Sequence, residues 1–389
     1  MTEATDTVAR ASAPREHEGA WRAAANGLLT IDLDAIVANW RKLESRAVPS
    51  ECAAVVKADA YGCGLEPVAR SLAAAGCKTF FVATLEEARR ARLAAPGATL
   101  YVLGGCFVGA ADAFADINAR PVIGDLAELA EWDAFCRRTG WSGGAALHVD
   151  TGMNRLGLSM AEAQGLLPRV QAGAHGFTLV MSHLACAESL DNPMNGRQLG
   201  AFREIAHAFS GIPASLANSS GIFLGPNFGF DMVRPGAALY GVNPTPEADN
   251  PMKAVVQVDA RIVQIRTVER GDTVGYGGTW TARRTTRIAV VAAGYADGYF
   301  RAASGIDGTR SAEVMVAGTR CPVAGRISMD LTAVDITELP ANAVRRGHFV
   351  TLIGDGIGVD EVGRHFGTIG YEVLTSLGRR FERAWRGGA

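Results

Sequence analysis

Between residues 28 and 242, short β-branched or aliphatic runs alternate with segments whose apolar positions recur at helical spacing. The runs are AAVV (53–56), KTFFVAT (78–84), TLYVLGG (99–105), RPVIG (120–124), AALHVDTG (145–152), FTLVMSH (177–183), ASLANS (214–219) and DMVRPGAALYG (231–241). Amphipathic stretches such as LEEARRARLA (85–94) and DLAELAEWDAFCRRTG (125–140) separate them. LTIDLDAIVANWRKLESR (29–46) reads as a lead-in strand and helix ahead of the first run. Eight strands joined by helical crossovers predict a (β/α)8 TIM-like barrel, with an open doubly wound sheet as the alternative until closure is established.

The pattern then changes. NPTPEADNPM (243–252) carries three prolines and suits a linker. Beyond it lie longer alternating runs: VVQVDARIVQIRTV (255–268), TTRIAVVAAGY (285–295) and SAEVMVAGTRCPVAG (311–325). Only VDEVGRHFGT (359–368), near the end, has clear helical period. The predicted organisation is a loose leader over 1–27, an α/β barrel over 28–250 and a mainly β C-terminal domain over 251–389.

Composition narrows the partners. A chain of 389 residues suits two domains, and 48% hydrophobic with 20% charged residues is ordinary for a globular protein. The formal net charge of −2 offers no electrostatic reason to expect nucleic acid or an anionic membrane. The leader lacks the apolar core of a signal peptide, and no later segment is long and apolar enough to span a bilayer. Seven scattered cysteines, none in a C-x-x-C pair, argue against a disulfide framework and a structural zinc site. Reduced thiols in a cytoplasmic, metal-free protein are the expectation.

In a barrel, active-site residues lie where the strands end at their C-terminal side. Read there, Lys57 closes strand one, and His148 and Asp150 end strand five with Arg155 just beyond. His183 closes strand six, Asn218 and Ser219 strand seven, and Arg234 with Gly236 strand eight. Taken singly, Lys57 reads as a strand reaching solvent, and Ser219 as a turn residue or helix cap. Taken together on one rim, they fit a task. An amine in apolar surroundings loses its proton more readily and can form a Schiff base with an aldehyde. Small residues around Ser219–Gly221 and Gly236–Ala237 would let backbone amides hold a phosphate, where barrels often place one. Lysine plus phosphate cradle suggests pyridoxal 5'-phosphate.

The motifs VVKADAYGCG, HVDTGMNRLGL, SHLACA, LANSSG, VRPGAALYG, VGYGGTW, AGYADGY, GRISMD and TIGYEVL occur in this order over residues 55–374. With them the chain resembles the alanine racemases, pyridoxal phosphate enzymes of fold-type III, from about residue 28 to 380. The resemblance implies that Lys57 carries the cofactor and then acts as a base on one face of the substrate α-carbon. It implies that Tyr276, arriving from the other subunit of a homodimer, is the base on the opposite face. A tyrosine with an ordinary pKa of about 10 is a poor base, so a relay is implied through His183, itself linked to Arg234. Arg234 would face the pyridine nitrogen, where a guanidinium cannot accept a proton and discourages ring protonation. Tyr61, Asn218, Ser219, Gly236, Ala237 and Tyr371 match cofactor-binding positions. Arg155 and the Met329 backbone N–H would bind the carboxylate of alanine, with Tyr295 at the entrance and Asp330 as a turn former. The product D-alanine would serve peptidoglycan synthesis, or the reaction would serve alanine catabolism.

One position departs from the family pattern. Many members carry a lysine, often carbamylated, where this chain has His148, so some other group must support Arg155. His148 itself is the expected indirect support. The alternatives are a racemase of broader or serine specificity, a fold-type III decarboxylase and a non-catalytic pyridoxal phosphate homeostasis protein. The decarboxylase needs no second base like Tyr276, and the homeostasis proteins lack a second β domain.

Overall fold

The structure, a computed structural model, describes residues 24–173, 176–309 and 311–388. They form two compact units, one of residues 31–256, 358–376 and 385–388, the other of 24–30, 257–357 and 377–384. The units are therefore interleaved along the chain rather than consecutive. Residues 1–23 of the expected leader lie outside the described residues. Its last residues are already tied down: Asn26 accepts a backbone bond from Arg261 (2.8 Å), and Gly27 opens the strand Gly27–Asp32.

In the first unit, seven parallel strands follow one another in chain order. They are Ala54–Val55, Thr79–Val82, Thr99–Val102, Ala119–Ile123, Ala145–His148, Phe177–Met181 and Ala214–Ser215. The eighth, Met232–Val233, pairs in parallel with Glu51–Cys52, the start of the first run. Amides of Ala53 and Val55 donate to Val233 O and Pro235 O, and those of Asp231 and Arg234 donate to Ala214 O and Ala217 O. These bonds close the ring, which removes the open-sheet alternative. Strands seven and eight are shorter than their apolar runs. Pro235 has no N–H to continue a ladder, and Ala237–Tyr240 winds into a 3-10 turn.

Inward-facing residues fill the barrel: Ala53, Val55, Phe81, Tyr101, Val122, Ala146, Leu179, Met181 and Met232 form one buried cluster. They alternate along their strands, as the period of two requires. Burying each of the larger ones contributes roughly 1.5–3 kcal/mol.

The second unit is mainly β. Its thirteen-residue strand Val256–Val268 pairs antiparallel with Thr286–Val291 and with Phe349–Ile353. Buried and half-buried positions alternate along its first half, the mark of a sheet with one covered face. The run at 311–325 is a hairpin of Glu313–Val316 and Thr319–Pro322, turned at Ala317 (φ 49°) and Gly318 (φ 78°), not one continuous strand. Helix Val359–Phe366 appears where helical period was read, and a second, unforeseen helix, Gly370–Ser376, follows it. Both belong to the barrel unit. The close approach depends on glycine: a Cβ on Gly62 would lie 2.4 Å from the Leu374 carbonyl oxygen. Among the described residues no helix is long and apolar enough to cross a membrane, and no group of three or more metal-ligating side chains occurs.

Candidate active site

Lys57 follows the first strand and opens a turn that most sequences avoid. Ala58, Asp59, Ala60 and Tyr61 all have φ of 53–54°, a single turn of left-handed helix. With a Cβ present, this conformation costs about 1–2 kcal/mol per residue, so the turn persists only because other contacts hold it. Gly62 (φ 80°) and Gly64 (φ 93°) end it without further strain. Tyr61 stacks on Tyr240 with ring centroids 4.7 Å apart, and Tyr240 donates its hydroxyl to Val55 O at 3.0 Å.

A cavity of about 970 Å³ lies at the C-terminal end of the barrel strands, with Val55, Phe81 and Met181 of the core as part of its wall. It gathers Lys57, Tyr61, His148, Arg155, His183, Asn218, Ser219, Arg234, Gly236, Ala237 and Tyr371, every barrel-unit residue expected in the site except Asp150. Asp150 instead shapes the loop that carries Arg155. Its Oδ1 accepts the amides of Gly152, Met153 and Asn154 at 2.9, 2.9 and 3.1 Å.

The electrostatics follow from burial and from clustered positive charge. Burial, then the nearby Arg155 charge, lowers the Lys57 pKa, while Glu87 opposes the shift. Burial, with Arg234 and Arg155, pushes His148 down to about 4 and holds His183 well below the ordinary imidazole range, so both imidazoles are neutral near pH 7. Arg234 is buried and lowered to about 9 by desolvation, which still leaves it cationic. Its guanidinium donates to Ser215 Oγ and, at 2.6 Å, to the Ser182 carbonyl beside His183. Neither serine was legible as a site residue. Ser215 sits inside the seventh apolar run, and only the fold brings it to Arg234.

The cradle at strands seven and eight is built around Ser219. Its Oγ accepts the amides of Gly236 (2.9 Å) and Ala238 (3.2 Å), which ties the two strand ends together. Asn218 Oδ1 accepts the Gly221 amide at 2.9 Å. A Cβ on Gly236 would lie 2.4 Å from Tyr61 Oη, so this corner is one that a side chain would fill. The amide of Ala237 opens a 3-10 turn and has no acceptor within it. An open backbone corner and a tyrosine hydroxyl, in a cavity also lined by Lys57, Arg155 and Arg234, fit a phosphate group, and a desolvated lysine fits an aldehyde. The carboxylates Glu188, Asp360 and Glu372 also line the cavity.

The other expected residues sit in the β unit. Tyr276 lies in a glycine turn (Gly275 φ 80°, Gly277 φ 75°) with 68% of its surface exposed. Tyr295 and Met329 share one zipped corner. The Tyr295 amide donates to Ser328 O (3.1 Å) and that of Ala296 to Met329 O (3.0 Å). Arg380 reaches Asp297 (3.0 Å) and Asp330 (2.7 Å), bracing that corner from both segments. Asp330 is therefore an ion-pair partner as well as a residue of the Met329 loop.

Fold and cavity define a TIM-like barrel protein with a lysine amine beside an anion cradle, the equipment of a barrel enzyme that works through a carbonyl cofactor. Residues 31–244 match the family described as "Alanine racemase, N-terminal domain", and 255–385 "Alanine racemase, C-terminal domain". The chain belongs to the alanine racemase family. It is 53% identical over 355 residues to an alanine racemase of Methylobacterium nodulans, covering 91% of this chain and 95% of that one. It is 46% identical to an alanine racemase of Rhizobium meliloti, over 94% and 98% of the two chains. The crystal structure of the Bartonella henselae alanine racemase, which has covalently bound pyridoxal phosphate, superposes with a TM-score of 0.87 at 39% identity. That match covers 93% of this chain and all of the other.

Proposed function

We propose that this protein interconverts L- and D-alanine with pyridoxal 5'-phosphate as cofactor, by two bases on opposite faces of the α-carbon. The observation that carries the reading is the convergence of a desolvated Lys57, the Ser219–Gly236 cradle and a buried Arg234 on one cavity. Lys57 would hold the cofactor aldehyde. Tyr61, Ser219, Gly236, Ala237 and Tyr371 would hold its phosphate, Asn218 would also bind the cofactor, and Arg234 would face its ring nitrogen. When bound, the cofactor takes up electron density from the substrate α-carbon and so acidifies its C–H bond.

The protein's own groups do the rest. Lys57 would be the base on one face, and its lowered pKa favours the free amine that such a base needs. Tyr276 of the partner subunit is the base on the other face. Neutral His183 is an acceptor able to relay its proton. Two faces are required because a proton returned to the side it left gives back the same enantiomer. Arg155 would bind the substrate carboxylate, and in the β unit Met329 and Tyr295 stand at the family's remaining substrate positions. Arg234 can donate but not accept, so facing the ring nitrogen it would discourage protonation there and limit side reactions. His148 supports Arg155 from within the wall. Because Tyr276 comes from a second chain, the active form is a homodimer.

The test is direct. Purified protein with pyridoxal phosphate is expected to show the absorbance of a lysine Schiff base. In heavy water it should exchange the α-hydrogen of both alanine enantiomers while interconverting them. Absence of the band, or exchange without inversion, refutes the reading.

A further inference from the structure

The segment TLEEARRA (84–91) begins with a helix-start signature, Thr84 followed three residues later by Glu87. The structure forms that capping box: Thr84 Oγ1 accepts the Glu87 amide at 3.2 Å, and Glu87 Oε2 accepts the Thr84 amide at 3.3 Å. A cap alone would use one carboxylate oxygen on one amide. Glu87 does more, since Oε2 also accepts the Ala83 amide at 2.8 Å, at the end of the second barrel strand. Its other oxygen accepts the amide of Asp59 at 3.3 Å, inside the left-handed turn. Three residues on, Arg90 reaches the same turn. It donates to Asp59 Oδ1 at 2.6 Å and forks onto both oxygens of Glu66, each at 2.6 Å. Asp59 Oδ1 in turn accepts the Leu65 amide at 3.0 Å, at the start of the next helix.

One helix face thus fastens a turn that the chain would not adopt unaided, and that turn begins at Lys57 and ends at Tyr61. We propose that Glu87 is a positioning residue for Lys57: its carboxylate ties the left-handed turn to the end of the second strand and so holds the lysine amine at the cavity wall. Arg90 shares the task from the far side of Asp59. The same carboxylate has an electrostatic consequence. The other titratable and charged groups of the cavity wall are the cations Arg155, Arg234 and Arg364, the imidazoles His148 and His183, the phenols Tyr61 and Tyr371, and the carboxylates Glu188, Asp360 and Glu372. Arg155 favours the neutral amine, whereas Glu87 favours the ammonium.

The proposal rests on Lys57 taking the cofactor, and the test separates the two ideas. Apo protein is titrated with pyridoxal phosphate across a pH range, and the imine absorbance is followed for the parent, Glu87→Gln and Thr84→Ala. Removing the anion beside Lys57 is expected to move the midpoint of imine formation in Glu87→Gln to lower pH, by at least about 0.3 pH unit. A loosened turn is expected to lower kcat by about 10- to 100-fold while KM for alanine stays within about twofold. Thr84→Ala removes the helix cap but keeps the carboxylate, so its midpoint and kcat should follow the parent even if it melts lower. Parent-like midpoint and kcat in Glu87→Gln, or equal shifts in Thr84→Ala, overturn the proposal. Should Glu87→Gln not fold, Glu87→Asp keeps the charge on a shorter stem. It is expected to lose kcat with a smaller midpoint shift, and parent-like values there overturn the proposal equally. A parent protein without the imine band overturns the functional reading, and this proposal with it.

Discussion

Replacing Gly236 by alanine places a methyl carbon 2.4 Å from Tyr61 Oη, 3.1 Å from Tyr61 Cζ and 3.4 Å from Val55 Cβ. Ordinary contact needs about 3.4 Å or more, so the tyrosine hydroxyl has to give way by about 1 Å. It has little room. Tyr61 is stacked on Tyr240, which is itself buried and bonded to Val55 O. Forcing an extra methyl into such packing costs typically about 1–3 kcal/mol. If Tyr61 holds the cofactor phosphate as proposed, displacing its hydroxyl also removes a charge-assisted bond worth about 1.5–3 kcal/mol. The second loss alone corresponds to roughly a 10- to 150-fold weaker affinity for pyridoxal phosphate. Spectrophotometric titration of apo protein measures that affinity, and thermal melting of the same apo protein measures the packing cost. An affinity within twofold of the parent would refute the placement of the phosphate beside Tyr61 and Gly236. An unchanged melting temperature would refute the packing argument.

Two further outcomes follow from the site. Tyr276→Phe is expected to cost about 10²–10⁴ in racemisation rate, with α-hydrogen exchange impaired more for one alanine enantiomer than the other; a loss below about threefold for both removes Tyr276 from the mechanism. His148 is held near pKa 4 in the fold against 6.5 in the unfolded chain, so the unfolded state binds its proton first as pH falls. Its contribution is therefore intact above 6.5 and is lost as pH falls from there toward the folded value. Between about pH 7.5 and pH 5 the loss from this group is about 2 kcal/mol. Denaturant unfolding of His148→Gln should show a correspondingly shallower decline in stability over that interval, and a decline as steep as the parent's refutes a buried neutral histidine.

Much of the cavity lining was legible because local pattern and rim position coincide. A strand that stops at a polar residue announces a side chain at the barrel mouth, as Lys57, His148, His183, Ser219 and Arg234 do, with Arg155 just beyond the end of its strand. The supports of these residues were not legible. Tyr240 bonds Val55 across 185 positions, and Arg234 reaches Ser182 across 52. Nothing in a run of neighbouring residues encodes such distances. Glu87 was half visible, since T-x-x-E announces a helix start but not the third amide that it holds.

The alternation of apolar runs with helical segments determined the order of eight strands and their crossovers, and the longer alternating runs determined the β unit, because periodicity records which face of an element is buried. Tertiary structure alone decided the closure of strand eight onto strand one, the left-handed turn after Lys57 and the return of residues 358–376 to the barrel unit. The physical reason is the same in each case. A ring bond, a strained turn or a glycine-to-backbone contact is favourable only once a partner distant in sequence is already in place. Local composition can permit such a contact without specifying it.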